Sequence, residues 1–270
     1  ELMARARDLV PMLRDRARET ETGRHVPDGT IDAMRQAGLF RILQPSAFNG
    51  YELDPLDFME IVMVLAGGCG SSGWVYGILG VHPWHVALFD ERAQQDVWGA
   101  NDEALVASSN GATGTVERVD GGFVLDGTWR FSSGSRHADW SLLGGLVDTA
   151  DGAPDGPAYH TFLVPSADYA IEDVWRTVGL AGTGSNTLHL RKVFVPEHRA
   201  HVMGEGIGGP GCLANQAVAY RYPFSTVLTY MITATMLGIA RSAIDSHIEM
   251  MRTRRRASLA GEMAAENVFS

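Results

Sequence analysis

Apolar residues recur at helical spacing over residues 1–103. They alternate along about 104–203 and return to helical spacing from about 212. In the first stretch Leu2, Ala6, Leu9, Val10 and Leu13 share one helical face. Pro27 opens a second helix, with Ile31 and Met34 on its inner side and Gly38 at its end. Pro55 opens a third, through Phe58, Ile61, Val62 and Leu65 to Gly67 and Gly68. Ser71 or Ser72 is placed to cap a fourth, which carries Trp74, Ile78 and Val81 on one stripe until Pro83 interrupts it. A short helix fits 92–98.

The middle stretch has period two. Strands fit 104–109, 113–119, 122–132, 141–147, 158–164 and 187–195, with a hairpin turn at Gly121-Gly122 and a Gly/Pro/Asp loop over 148–157. Short strands with turns between them predict a small barrel or sandwich rather than a parallel sheet. A glycine-rich joint over 204–211 leads to a long apolar helix bearing Val227, Met231, Thr235, Ile239 and Ala243, which turns polar toward Arg256. The expected organisation is therefore α+β: a helical domain over 1–103, a β domain over 104–203, and the start of a helical bundle over 212–270. The chain stops at Ser270 in a helical stretch without a stop signal, so more of this bundle is expected beyond it.

One strand ends oddly. Phe123, Leu125, Trp129 and Phe131 alternate with Val124, Asp126, Thr128 and Arg130. A continued pleat puts Ser133 on the apolar side with Trp129 and Phe131. A hydroxyl there costs stability without a partner. Either the strand ends in a turn, or a flat polar group sits against it.

Bulk composition narrows the functions. Formal net charge is -10, which excludes nucleic acid as an expected partner. No run of about 20 apolar residues is evident, so no membrane span is expected. The first residues are charged and amphipathic, unlike a signal peptide. Two cysteines, Cys69 and Cys212, do not make a disulfide framework, which fits a reducing cytoplasm. There is no CxxC pair, HExxH, GxSxG or GxxxxGK[ST], so no metal site is expected. The loose glycine pattern of GLAGTGS (Gly179–Ser185) precedes a strand and not a helix, so it fails as a dinucleotide fingerprint. It reads as an ordinary glycine turn or as a loop that hugs a ligand.

Three further stretches are candidates. His82, beside Pro83, is expected at a helix junction on the Trp74/Ile78 stripe. It reads either as a hydrogen-bonded core histidine or as a neutral imidazole aimed into a cavity and able to exchange a proton near pH 7. His85 lies in the helix beyond it. Ser108 and Ser109 end a strand on opposite faces, as turn chemistry or as one inward hydroxyl. Arg254, Arg255 and Arg256 form a solvated face or a phosphate contact.

Helices, a small β domain, then helices is a layout similar to the acyl-CoA dehydrogenase superfamily, and two motifs carry the resemblance. LDGTWRFSSG (Leu125–Gly134) resembles that family's strand ending in Trp-Ile-Thr, with Phe131, Ser132 and Ser133 at those places. VGLAGTGSNTLHLRKVFVP (Val178–Pro196) resembles its second signature, a glycine loop followed by a strand ending in Val-Pro. FSSG, GTGSN and GWVYGILGVHPWHVALF (Gly73–Phe89) are similar to the flavin-dependent monooxygenase branch, the oxygenase halves of two-component aromatic hydroxylases such as those for 4-hydroxyphenylacetate and secosteroids. Where true dehydrogenases carry a Thr/Glu-rich loop, this chain has ASSNGATG (Ala107–Gly114).

The resemblance implies an oxygenase component that takes reduced FMN or FAD from a separate NAD(P)H-dependent flavin reductase. With O2 it would hydroxylate a phenolic or fused aromatic substrate through a flavin C4a-hydroperoxide. Implied catalytic residues are His82, Ser108 and Ser133. Implied flavin contacts are Trp129, Phe131, Ser132, Ser133, Thr183, Ser185 and Arg256, with Ser133 at flavin N5. Trp74, His82, Trp84 and Ser108 would bind substrate. The family's late catalytic residues would fall after Ser270. A homotetramer built through the C-terminal helices is expected, on the apolar stripe Val227, Met231, Thr235 and Ile239. The alternatives are an acyl-CoA dehydrogenase or oxidase with tightly bound FAD, and a scaffold of the same fold without chemistry.

Overall fold

Helix starts are dictated by local chemistry. The computed structural model of the chain describes residues 1–148, 157–203 and 209–253. Helices α1 (Leu2–Asp15), α2 (Ala17–Gly23) and α3 (Asp28–Gln36) come first. The α4 helix (Pro55–Gly68) begins where the Asp54 carboxylate accepts the Leu56 N–H, with Pro55 at the first helical position. Next come α5 (Gly70–Val86) and α6 (Glu91–Trp98), the latter capped by Asp90. The α5 helix does not use the expected serine cap. It starts at Gly70, and Ser71 Oγ donates to the Glu21 carboxylate instead.

Nor does α5 stop at Pro83. It runs through that residue to Val86, so His82 sits inside a continuous helix and not at a junction. The proline removes one backbone donor, yet every residue from Val75 to Val86 is buried by neighbouring elements. Packing therefore outweighs the local cost.

The β region is two four-stranded sheets, ordered β1-β4-β5-β8 and β2-β3-β7-β6. The strands are β1 (Val106–Ser109), β2 (Thr115–Val119), β3 (Gly122–Ser132), β4 (Trp140–Val147), β5 (Ala158–Pro165), β6 (Ala170–Glu172), β7 (Asn186–Pro196) and β8 (Ala200–Val202). Phe123, Leu125 and Trp129 meet Leu143, Val147, Phe162, Val164, Leu188 and Leu190 between the sheets. That is sandwich packing, with one departure from the expectation: β1 pairs with β4 in parallel. The short β6 and β8 carry too few residues for a visible alternation. The expected loop over 148–157 and the joint over 204–211 lie largely outside the described residues.

The last described helix, α7 (Phe224–Thr253), packs on α4 and α5. Val227, Met231, Ala234 and Thr235 are buried there, and Ser242 Oγ donates to the Gly67 carbonyl at 2.8 Å. The stripe expected to join subunits is thus mostly spent inside the chain. Tyr230, Ile232, Met236, Leu237 and Ile244 are among its exposed apolar residues, with Met250 and Met251. By length and composition α7 is apolar enough to cross a bilayer, although polar residues interrupt its apolar run. Burial of one face against α4 and α5 is how a bundle helix behaves.

Candidate active site

The β3 strand breaks its pleat twice before it ends. Its register against β7 shifts between Leu125 and Gly127, and again between Trp129 and Ser132. Trp129 is buried between the sheets, under Gly114, and its indole N–H donates to the Gly144 carbonyl at 2.8 Å. The second bulge holds Phe131 at φ +62°, a left-handed conformation that a bulky residue rarely adopts. It also turns the Phe131 ring outward, 69 % exposed, edge-on to Trp175 at 6.0 Å. So Trp129 and Phe131 do not form one wall. Trp129 is core, and Phe131 is the outward aromatic.

Past the bulge, Ser133 does meet polar partners. Its Oγ accepts the Trp74 indole N–H at 3.0 Å and lies 2.7 Å from Ser185 Oγ. Ser185 Oγ is 2.7 Å from Thr183 Oγ1, which donates to the Leu180 carbonyl at 2.9 Å. This answers the hydroxyl at the strand end: four residues named in sequence as separate flavin or substrate contacts form one hydrogen-bonded row. Ser132 is fully buried, and its hydroxyl has no partner among the described residues. Arg256 lies outside the described residues.

The glycine loop that supplies Thr183 and Ser185 is braced by α2, which the sequence reading did not single out. The Glu21 carboxylate accepts from the N–H groups of Ala181 and Gly182 at 3.2 and 3.4 Å. Gly182 is required by the close approach of Thr20, which a Cβ would strike. Arg24 makes a two-pronged pair with Asp173 at 2.6 Å on the neighbouring strand end. No local signal marks Glu21 or Arg24, since their partners lie about 150 residues away.

The α5 helix carries the second half of the site. His82 is fully buried and neither ring nitrogen has a hydrogen-bond partner among the described residues. Burial pushes its pKa down to about 3, which keeps the imidazole neutral, as one reading of the sequence has it, and moves its titration well below the pH 7 region that reading names. His85 follows on a neighbouring face, with its ring 6.2 Å from that of His82 and Nε2 3.3 Å from Thr161 Oγ1. Burial first, then His201 and His82, hold it neutral too. Trp84 points to the other side of the helix, stacks on Phe224 at 6.1 Å and donates to the Ala219 carbonyl at 2.6 Å. The structure does not bring it to His82.

Helix α5 also packs against β1. There Ser109 Oγ donates to the Arg130 carbonyl. Ser108, one residue back, lies on the face that Val106 shares with Val86 and Phe89.

Three features stand out: a strained outward aromatic, a buried hydroxyl row, and a buried neutral imidazole without a partner among the described residues. Buried polar groups are normally paired, which makes His82 a candidate contact for a bound molecule. Comparison with known proteins decides which kind. The chain is 44 % identical over 270 residues to the flavin-dependent monooxygenase oxygenase subunit HsaA of Rhodococcus jostii, covering 99 % of this chain and 70 % of that one. The chain belongs to the oxygenase subunits of flavin-dependent monooxygenases.

It is also 37 % identical to the oxygenase component of an FADH2-dependent resorcinol hydroxylase from a Rhizobium, over 96 % of this chain and 64 % of that one. A crystal structure of 3-HSA hydroxylase from Rhodococcus sp. RHA1 superposes with a TM-score of 0.91 at 44 % identity, covering 96 % of this chain and 67 % of that one. No family model matches the chain. The fold is the acyl-CoA dehydrogenase-like fold of these monooxygenases. The oxygenase uses reduced flavin supplied separately. The chemistry of these residues suits a flat ring with polar edges, since Phe131 is an exposed aromatic and Ser133 and Ser185 carry hydroxyls.

Proposed function

We propose that this oxygenase hydroxylates a phenolic or fused aromatic substrate held between α5 and the end of β3. The observation that carries the reading is His82, a buried neutral imidazole with both nitrogens unpartnered. Such a group accepts the O–H of a phenol and orients the ring. Burial disfavours the imidazolium and leaves a neutral ring that can accept a hydrogen bond. Ser108 is proposed as a second contact to the phenol oxygen. Trp74, partly buried on the same helical stripe, supplies a flat neighbour.

Ser133 is proposed at flavin N5, with Phe131, Thr183 and Ser185 forming the wall around that edge. Bound reduced flavin supplies two electrons, so that one atom of O2 enters the ring and the other leaves as water. The chain's own part is to hold the phenol, keep water away from the reacting atoms and present hydroxyls at fixed places.

An NAD(P)H-dependent flavin reductase is the proposed partner, and a homotetramer the proposed assembly. Cys69 and Cys212 are free thiols, which suits a reducing cytoplasm.

The test is reductase-coupled turnover with NADH and a panel of phenols under 18O2. The expected product is a catechol carrying one labelled oxygen atom. Oxygen-independent oxidation of an acyl-CoA, with no labelled phenol product, would overturn the reading in favour of a dehydrogenase.

A further inference from the structure

The hydroxyls of Ser133, Ser185 and Thr183 stand between two groups whose hydrogen-bonding roles are fixed. The Trp74 indole N–H only donates, and it donates to Ser133 Oγ. The Leu180 carbonyl only accepts, and it accepts from Thr183 Oγ1. The same carbonyl also accepts the Trp175 indole N–H at 2.9 Å and the Thr183 backbone N–H at 3.2 Å.

Each hydroxyl owns one proton, and that settles the direction between the ends. Thr183 gives its proton to Leu180, so it accepts from Ser185. Ser185 has then spent its proton and accepts from Ser133. The row runs one way, from Trp74 through Ser133, Ser185 and Thr183 to Leu180. Reversing the Ser133–Ser185 link leaves Thr183 with one proton for two acceptors, and a hydrogen bond is lost. All three side chains are buried, where an unmade bond is costly.

Ser133 therefore has no proton left for a ligand. It has a lone pair. We propose that Thr183 and Ser185 are positioning residues that make Ser133 a hydrogen-bond acceptor toward the bound ring. The site thereby selects flavin carrying a hydrogen on N5, the reduced form, over oxidised flavin, whose N5 is itself an acceptor. The inference rests on the placement of Ser133 at N5 proposed above. It goes further by naming what sets the polarity of that contact and which redox form it favours.

The test reads binding and needs no turnover. Dissociation constants for FAD and FMN are measured by fluorescence titration, oxidised in air and dithionite-reduced under anaerobic conditions. In Ser185→Ala the Ser133 proton loses its acceptor and becomes free to meet oxidised N5. The ratio of oxidised to reduced dissociation constants should fall about five-fold, the worth of one net hydrogen bond, chiefly through tighter oxidised binding. Thr183→Val should move the ratio in the same direction, and Thr183→Ser, which keeps the hydroxyl, should hold it at the wild-type value. Equal weakening of both forms in Ser185→Ala and Thr183→Val would mean that the row merely shapes the loop, and would overturn the polarity argument alone. Ser133→Ala is the reference. If it moves neither constant, the placement of Ser133 at the flavin is overturned, and the inference with it.

Discussion

Replacing His82 with leucine tests whether a buried imidazole is there for the fold or for the substrate. The two roles predict opposite signs for stability. The side chain is fully buried, and its two ring nitrogens lack partners among the described residues. Leaving a buried polar group unpaired costs about 1–3 kcal/mol. Leucine has a similar volume and no polar atom, so His82→Leu should stabilise the free protein by about that amount. For chains of roughly 150–250 residues each kcal/mol is worth about 2–4 °C in Tm, so a rise of several degrees is expected. The phenol meanwhile loses its acceptor, and coupled hydroxylation should fall by about 10²-fold or more.

Scanning fluorimetry without flavin or substrate reads the first effect, and product analysis beside oxygen uptake reads the second. Oxygen uptake should survive, because His82 is assigned to the substrate and not to the flavin. His85 serves as the control. Its Nε2 contacts Thr161 Oγ1 at 3.3 Å, so His85→Leu should lower stability and disturb hydroxylation less. A His82→Leu protein that melts early and loses oxygen uptake together with hydroxylation would refute the assignment and make His82 a core residue.

Stability should also depend on pH in a stated direction. Burial holds His82 near pKa 3 and His201 near 4, and His85 is lowered as well, so the unfolded chain binds protons below about pH 6.5 that the folded chain refuses. Their contribution is fully present above that pH and is lost as pH falls toward 4, by at most about 1.4 kcal/mol per site per pH unit. Denaturant midpoints between pH 7 and 4.5 check this: His82→Leu should flatten the slope, and an unchanged slope counts against burial as the cause. A different prediction concerns α7, whose outer face exposes Tyr230, Ile232, Met236, Leu237 and Ile244. Light scattering should find a tetramer that Leu237→Glu dissociates, and a wild-type monomer at micromolar concentration would remove that face as the interface.

Some of this was legible from spacing alone. The bounds of α4 follow from Pro55 and the Gly67-Gly68 pair, and β3 spans the expected 122–132 because its alternation is long and flanked by glycines and serines. What failed was extrapolation past an irregularity. Nothing in the alternation announces that Phe131 takes a positive φ, since bulges arise from how β3 meets β7 and not from β3 itself. One shifted residue moves a side chain to the other face, so the wall of Trp129 and Phe131 was lost at that point. Pro83 misled in the opposite sense. A local breaker signal was overridden by burial on every side of α5, which only the tertiary structure supplies.

The hydroxyl row sits between these cases. Trp74, Ser133, Thr183 and Ser185 are each visible in the sequence, yet Trp74 reads as a substrate wall and the others as independent flavin contacts. Joining them requires α5 to lie beside the end of β3, across sequence separations of 59 for Trp74 and Ser133 and 52 for Ser133 and Ser185. Chemistry then adds what neither the spacing nor the distances state alone. A donor-only indole at one end and an acceptor-only carbonyl at the other leave three protons a single complete arrangement. Direction in the row is thus a property of its ends, and a substitution at Thr183 should be felt at Ser133 without any contact between their side chains.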